Sequence, residues 1–310
     1  MNFAYLAGAL ALLVCVLGIR LLRKKRRRSR IIQQSKLHES GLTLYHASTL
    51  VHVKLPLTVQ KTERRVAVLD FKGDLKASER WGLSALIDEI VLNSGCFEEV
   101  LLKVESPGGA VAEYGFVYAE LERIRERAPK LRLTVCVDTV AASGGYLMSL
   151  PAHQIFAAPF AMVGSIGVVS FVPNIRKLLQ QLKIEPRTYT AGNYKRTVTL
   201  TDDASEEDVA HYKQQLTLIH EQFKCALKKY RPHVDLDLVA TGEAWLASST
   251  VEKSLGLVDA LRVSSDYLLE LNRDRSLLFL TTSSRERGFK SWIKKRIEAS
   301  IDQSQRFFLK

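Results

Sequence analysis

Val140-Ala141-Ala142-Ser143-Gly144-Gly145-Tyr146 sets a serine and two glycines between a run that reads as strand and one that can continue as helix. Upstream, Leu131-Arg132-Leu133-Thr134-Val135-Cys136-Val137 alternates and is rich in β-branched residues, the pattern of a half-buried strand. Downstream, Tyr146-Leu147-Met148 carries no turn residue. A strand-to-helix turn exposes the serine hydroxyl and aims the unpaired N–H groups of the helix start at whatever the hydroxyl attacks. Gly144 and Gly145 allow close backbone approach, which stabilising an oxyanion requires. The same residues also suit a plain tight turn before a packed helix, since turn serines are common. Other segments decide between the two.

Val104-Glu105-Ser106-Pro107-Gly108-Gly109-Ala110 repeats the arrangement after the apolar Val100-Leu101-Leu102, and a helix is predicted over Val111 to Arg127. Two such units put two sets of backbone N–H donors at the carboxyl edge of a parallel sheet, where sites on such sheets usually lie. A third glycine-bearing segment is Gly164-Ser165-Ile166-Gly167-Val168-Val169. The fourth, Thr190-Ala191-Gly192-Asn193-Tyr194-Lys195-Arg196-Thr197, holds a lysine in a turn-rich stretch.

Glu105 to Gly109, Ala141 to Tyr146, Ala158 to Val169, Ala191 to Thr197 and the closing Gly256-Leu257-Val258-Asp259 together resemble the signal-peptide peptidase A family of serine peptidases. Within that family the likeness is to the SohB-type membrane peptidases, and it covers about residues 64 to 262. The resemblance implies an α/β fold of the ClpP/crotonase type, a spiral of β-β-α units, and a Ser/Lys dyad. Carried over by motif, Ser143 would be the nucleophile, Lys195 the general base, and Ser165 the hydroxyl that orients the lysine amine. Gly108, Gly109 and Gly144 would offer the oxyanion N–H groups. A homo-oligomeric ring is also implied, in which the lysine of one protomer reaches the serine of its neighbour, because the chain holds one copy of each motif.

The chemistry fits that allocation. A serine hydroxyl is a weak nucleophile and needs a base within hydrogen-bond reach. None of the seven histidines, His38, His46, His52, His153, His211, His220 and His233, stands in a comparable turn. His153 reads as a surface or hydrogen-bonded structural residue, because no orienting partner accompanies it. A free lysine amine has a pKa of about 10.4, so it serves as a base only where burial lowers that value by about three pH units, about 4 kcal/mol. By residue type alone a lysine beside Arg196 is a solvated loop residue; the motif around it is what singles it out.

The 310 residues are 46% hydrophobic and 25% charged, enough for one domain of about 200 residues with extensions. The net charge of +12 is concentrated at the ends, in Arg20 to Arg30 and Arg285 to Lys310. Basic residues interleaved with stacking aromatics are absent, which excludes nucleic acid as a partner. Phe3 to Ile19 is uninterrupted apolar or small, Leu21 and Leu22 extend it past Arg20, and about 20 such residues span a bilayer. A cleaved signal peptide carries its charges before the apolar run; here they follow, which predicts a retained single-pass anchor over residues 1–22 in the inner membrane. The basic run Arg23 to Arg28 places the catalytic domain on the cytoplasmic side by the positive-inside rule, whereas the resemblance implies the periplasmic side. Protease shaving of intact spheroplasts decides the matter, and loss of the domain without lysis would remove the cytoplasmic placement.

After the anchor, residues 23–63 read as a basic and polar linker, 64–262 as the peptidase domain, and 263–310 as a C-terminal extension. Arg64 to Phe71 is predicted as the first strand of the domain, Ser78 to Leu92 and Pro173 to Leu182 as helices, and Ile184 to Thr190 as a strand. Acidic Asp202 to Asp208 should open a long helix towards Tyr230, since carboxylates suit a helix start. In the extension, Phe289, Trp292, Ile293, Ile297 and Ile301 recur at helical spacing among lysines, a basic amphipathic helix that fits either membrane lipid or a neighbouring subunit. Cys15, Cys96, Cys136 and Cys225 lack metal-type spacing, and no phosphate loop or dinucleotide fingerprint occurs, so no metal or cofactor is expected. The expected activity is hydrolysis of extended apolar peptides, with Val168 and Val169 lining the groove and small or aliphatic residues preferred before the cleaved bond. The alternative is a membrane-bound scaffold of the same fold with an inactive dyad. A crotonase-type acyl-CoA enzyme is disfavoured by the Ser/Lys pair.

Overall fold

A computed structural model of the chain describes residues 43–46, 49–54, 64–192 and 194–283. The predicted anchor over 1–22 and the predicted amphipathic helix of the tail lie outside the described residues. Among the described residues no helix is long and apolar enough to cross a membrane.

The strands are β1 (Thr43–His46), β2 (Thr49–Lys54), β3 (Arg65–Lys72), β4 (Glu99–Glu105), β5 (Arg132–Val137), β6 (Val140–Ala142), β7 (Gln154–Ala157), β8 (Met162–Gly164), β9 (Ala244–Leu246), β10 (Ala260–Leu261) and β11 (Ser276–Ser283). The helices are α1 (Arg80–Leu92), α2 (Val111–Arg127), α3 (Gly144–Ser149), α4 (Arg176–Gln181), α5 (Glu206–Tyr230), α6 (Leu236–Val239), α7 (Ala247–Glu252) and α8 (Ser264–Leu271). The architecture is α/β. One sheet runs β1-β2-β11-β3-β4-β5-β7-β10, parallel from β11 through β10, and a small second sheet runs β6-β8-β9.

Alternation along β3 splits the core, as period-two side-chain geometry demands. Ala67, Leu69 and Phe71 join one cluster with Leu83, Ile87 and Ile90 of α1 and Val117, Leu121 and Ile124 of α2. Val66 and Val68 join another with Tyr267 and Leu271 of α8. On α2 the buried positions Tyr114, Val117, Leu121 and Ile124 recur every three to four residues, so one stripe faces the sheet. Buried Glu99 at the start of β4 accepts hydrogen bonds from Thr134 Oγ1 (2.5 Å), Tyr267 OH (2.7 Å) and Arg275 (2.9 Å). A buried carboxylate is costly unless paired, and the bond from Tyr267 ties α8 to the sheet.

Several predicted boundaries move. The expected linker contains the β1–β2 hairpin, and the expected extension contains β11, which lies between β2 and β3 and carries the sheet past residue 262 to Ser283. Ile184 to Thr190 forms no strand: it is largely exposed and pairs with no other strand among the described residues. The helix expected over Pro173 to Leu182 is shorter, because Asn174 Oδ1 accepts from Arg176 N–H (2.9 Å) and delays its start. Helix α5 begins with a capping box, Ser205 and Asp208 each bonding the other's backbone N–H (3.1 and 3.2 Å). Between Gly167 and Gln222 no described residue is buried; Val169 and Phe171 are 92% and 89% exposed.

Candidate active site

Ser143 follows β6 and caps α3 with φ 51° and ψ −122°, a backbone region that non-glycine residues avoid at about 1–3 kcal/mol. Its surroundings hold it there. Ser143 N–H donates to the Gly164 carbonyl (2.7 Å), and the Ser143 carbonyl accepts from Tyr146 and Leu147 N–H (3.0 and 2.9 Å). Parallel pairing of β6 with β8 sets Ala142 opposite Gly164, so Ser143 and Ser165 are the first residues beyond two paired strand ends. Ser165 shares the strain, with φ 51°, and its Oγ donates to the Gly242 carbonyl (3.3 Å).

The turn after β4 presses against this serine. Gly108 has φ 88°, and a Cβ placed on it would lie 2.8 Å from the Ala142 carbonyl oxygen, from Gly144 N and from Ser143 Cβ. Any larger residue would displace the Ser143 turn. Gly108 N–H itself donates to Ser106 Oγ (3.1 Å), so it is already engaged. Gly109 N–H and Gly144 N–H have no acceptor among the described residues, and both residues line the cavity in which Ser143 stands.

That cavity, about 540 Å³, lies between α2 and α5. Val111, Gly115 and Leu147 form one wall, Ile219 and Phe223 the other, and Val168 and Val169 its edge. At its far end Glu122 accepts hydrogen bonds from Tyr118 (3.1 Å), Tyr230 (2.7 Å) and Lys229. Burial opposes its charge, but those three donors outweigh burial and hold the Glu122 carboxyl below the usual range. The same burial and the neighbouring carboxylate push the Tyr118 phenol up to about 12.

Lys195 lies elsewhere in the single chain. It lines a separate cavity with Val172, Tyr194, Thr197, His211 and Tyr212, and Tyr194 stacks on His211 with ring centroids 4.0 Å apart. The structure thus brings Ser143, Ser165, Gly108, Gly109, Gly144, Val168 and Val169 to one place, and leaves Lys195 on the exposed segment outside it. His153 is engaged structurally: its Nδ1 accepts from Leu133 N–H (2.9 Å), and burial together with nearby Arg125 lowers its pKa below the ordinary histidine value. Among the described residues no three His, Cys, Asp or Glu side chains converge to hold a metal ion.

The Gly256 to Asp259 motif braces the site from behind. Tyr146 of α3 donates to the Leu257 carbonyl (2.7 Å). Asp259 pairs with buried Arg231 through two contacts (2.6 and 2.8 Å) and accepts from Ile155 N–H (2.6 Å). Burial alone would raise the Asp259 carboxyl; these donors win and hold it low. Sequence reasoning missed the cavity walls. Tyr114, Gly115 and Tyr118 were legible only as a helical stripe, and Ile219 and Phe223 arrive from a helix far along the chain.

Comparison with known proteins identifies the family. Residues 6–121 match the family model for the N-terminal region of peptidase family S49, and residues 125–277 match that of peptidase family S49 itself. A probable protease SohB of Haemophilus influenzae is 38% identical over 245 residues, 79% of this chain and 68% of that protein. Another probable protease SohB, from Buchnera aphidicola of Acyrthosiphon pisum, is 40% identical over 222 residues, 72% of this chain and 65% of that one. Among solved structures, a membrane protease specific for a stomatin homolog from Pyrococcus horikoshii aligns with a TM-score of 0.38 and 14% identity, covering 67% of this chain and 78% of its own. With the two segment matches covering almost all of residues 6–277 and the SohB relatives aligned over most of the chain, the protein belongs to peptidase family S49.

Proposed function

We propose that the chain is a membrane-anchored serine endopeptidase with a Ser/Lys dyad, built on a ClpP/crotonase-like spiral and held by residues 1–22. The observation that carries this reading is the strained Ser143 facing an apolar cavity beside two unclaimed backbone N–H groups. In this mechanism Ser143 Oγ attacks the scissile carbonyl while the neutral amine of Lys195 takes its proton. Gly109 and Gly144 N–H bind the oxyanion; Gly108 is left out of that role because its N–H serves Ser106. The ammonium then protonates the leaving amine, and water attacks the acyl-enzyme with the amine again as base. Ser165, the first residue after β8 as Ser143 is the first after β6, would orient the amine.

Lys195 reaches this serine from a second protomer of a closed homo-oligomeric ring. The segment that bears it exposes Val169, Phe171 and Tyr189 and buries nothing of its own, the condition of a surface that packs against another copy. The substrate is a peptide in extended form, such as a fragment of a signal peptide or membrane protein. A fluorophosphonate probe should label the full-length protein at Ser143, and the label should vanish in Ser143→Gly. A folded oligomer that neither labels nor cleaves peptides would instead support the inactive scaffold.

Gly115 tests the groove separately. A Cβ placed there meets nothing within 4 Å, so Gly115→Leu extends into the cavity without backbone strain. Helix α2 should gain up to about 1 kcal/mol from replacing glycine. Cleavage after large aliphatic residues should fall by about tenfold or more in kcat/KM, while Ser143 still takes the small probe. Unchanged selectivity in this variant would remove the cavity from the substrate path.

A further inference from the structure

We propose that Ser106 and Tyr114 are positioning residues that hold the oxyanion-binding backbone of this site in its working orientation, a reading that rests on Ser143 being the nucleophile. Both residues are fully buried. Ser106 Oγ lies 2.6 Å from Tyr114 OH, Tyr114 OH lies 2.9 Å from the Asp74 carbonyl oxygen, and Gly108 N–H donates to Ser106 Oγ (3.1 Å).

The protons in this chain have one arrangement. The Asp74 carbonyl has none to give, so the tyrosine hydroxyl must donate to it. Tyr114 then offers only a lone pair to Ser106, whose hydrogen points at the tyrosine oxygen. That leaves the Ser106 oxygen as acceptor for Gly108 N–H. Burial pushes the Tyr114 phenol above its ordinary pKa, which keeps it a neutral donor. Every member is satisfied, and reversing one bond breaks the others.

The consequence falls on Gly109. The peptide unit that supplies its N–H is held at both ends. On one side Gly108 N–H is drawn inward to Ser106. On the other, Ala110 N–H donates to the Leu75 carbonyl (2.8 Å), and Gly109 sits so close that a Cβ would fall 2.4 Å from that same oxygen. Gly109 lines the cavity, and its N–H has no acceptor among the described residues. The second donor rests on the same pair: a Cβ on Gly144 would lie 2.5 Å from Tyr114 Cγ, and one on Gly145 would lie 2.5 Å from the Ser106 carbonyl oxygen. The Ser106 backbone also bonds the nucleophile's own strand, its N–H donating to Val140 O (2.8 Å) and its carbonyl accepting from Ala142 N–H (3.0 Å). One buried pair therefore fixes both oxyanion donors relative to Ser143.

The test uses the full-length protein with Ser106→Ala, Tyr114→Phe and the double variant. Losing the Ser106 hydroxyl frees Gly108 N–H, and kcat for peptide hydrolysis should fall by about 10- to 100-fold with KM within about twofold. Binding of a peptide aldehyde, whose adduct with Ser143 carries the oxyanion, should weaken by the same factor. Tyr114→Phe keeps the ring under Gly144 and should show a smaller loss of the same kind. The double variant should lose no more than Ser106→Ala alone, because the two act as one chain. A purely structural pair would lower the melting temperature and leave kcat and aldehyde affinity of the folded enzyme unchanged, which would overturn the proposal. Should Ser106→Ala fail to fold, Tyr114→Phe gives the same readouts. Wild-type labelling at Ser143 separates the two claims: with label and unaltered variants the positioning role alone falls, and without label the nucleophile assignment falls and takes this role with it.

Discussion

Ser143→Gly should yield a protein that is more resistant to heat than the wild type and hydrolyses nothing. The backbone at this position, φ 51° and ψ −122°, is open to glycine and strained for every other residue. Relief of that strain is worth about 1–3 kcal/mol, and the extra freedom of glycine in the unfolded chain returns up to about 1 kcal/mol of it. The net gain of about 1 kcal/mol raises the melting temperature by about 2–4 °C for a domain of this size. Turnover should fall by about 10⁴-fold or more, the scale seen when a serine nucleophile is removed. Ser143→Ala supplies the control: equally inactive, it keeps the strain and should melt near the wild type. Calorimetry beside a peptide-cleavage assay reads both quantities. A glycine variant that retains most of its activity would eliminate Ser143 as nucleophile, and one that melts lower would show the strain reading to be wrong.

Lys195→Arg should be as inactive as the loss of Ser143, although it conserves charge and length. A guanidinium stays protonated throughout the neutral range and cannot take a proton from a hydroxyl. Because Lys195 and Ser143 line different cavities of one chain, their partnership is tested best between chains. Mixing Ser143→Ala subunits with Lys195→Ala subunits, each inactive alone, should restore activity, since some interfaces then pair an intact serine with an intact lysine. A random two-component ring regains about a quarter of wild-type sites. No recovery in demonstrated mixed oligomers would place both residues in one protomer. Full activity of Lys195→Arg would remove the lysine from the mechanism.

Local signals in the sequence were legible wherever one segment settles its own conformation. The helix over Val111 to Arg127 was bounded to the residue, because glycines precede it and its apolar stripe is regular. The turn at Ser143 was legible because strand pattern and paired glycines meet there. What could not be read depends on partners distant in sequence. Leu277 to Leu280 is as apolar as a strand should be, yet nothing local says that it inserts between β2 and β3. Ile184 to Thr190 has the composition of a strand and lacks a neighbour to pair with. The different fates of Gly108 and Gly109 rest on where Ser106 points its oxygen, and two adjacent glycines look alike in sequence.

The stretch from Gly167 to Gln222, with none of its described residues buried, has a consequence for when the protein is harmful. A peptidase that cleaves extended apolar chains, the activity proposed above, endangers every half-made membrane protein within its reach. If the proton acceptor arrives only with a neighbour, as proposed, dilution is a safety catch: a newly synthesised copy on its own has a nucleophile without a base. On the proposed assembly, a rise in the local concentration of copies arms the site and dispersal disarms it.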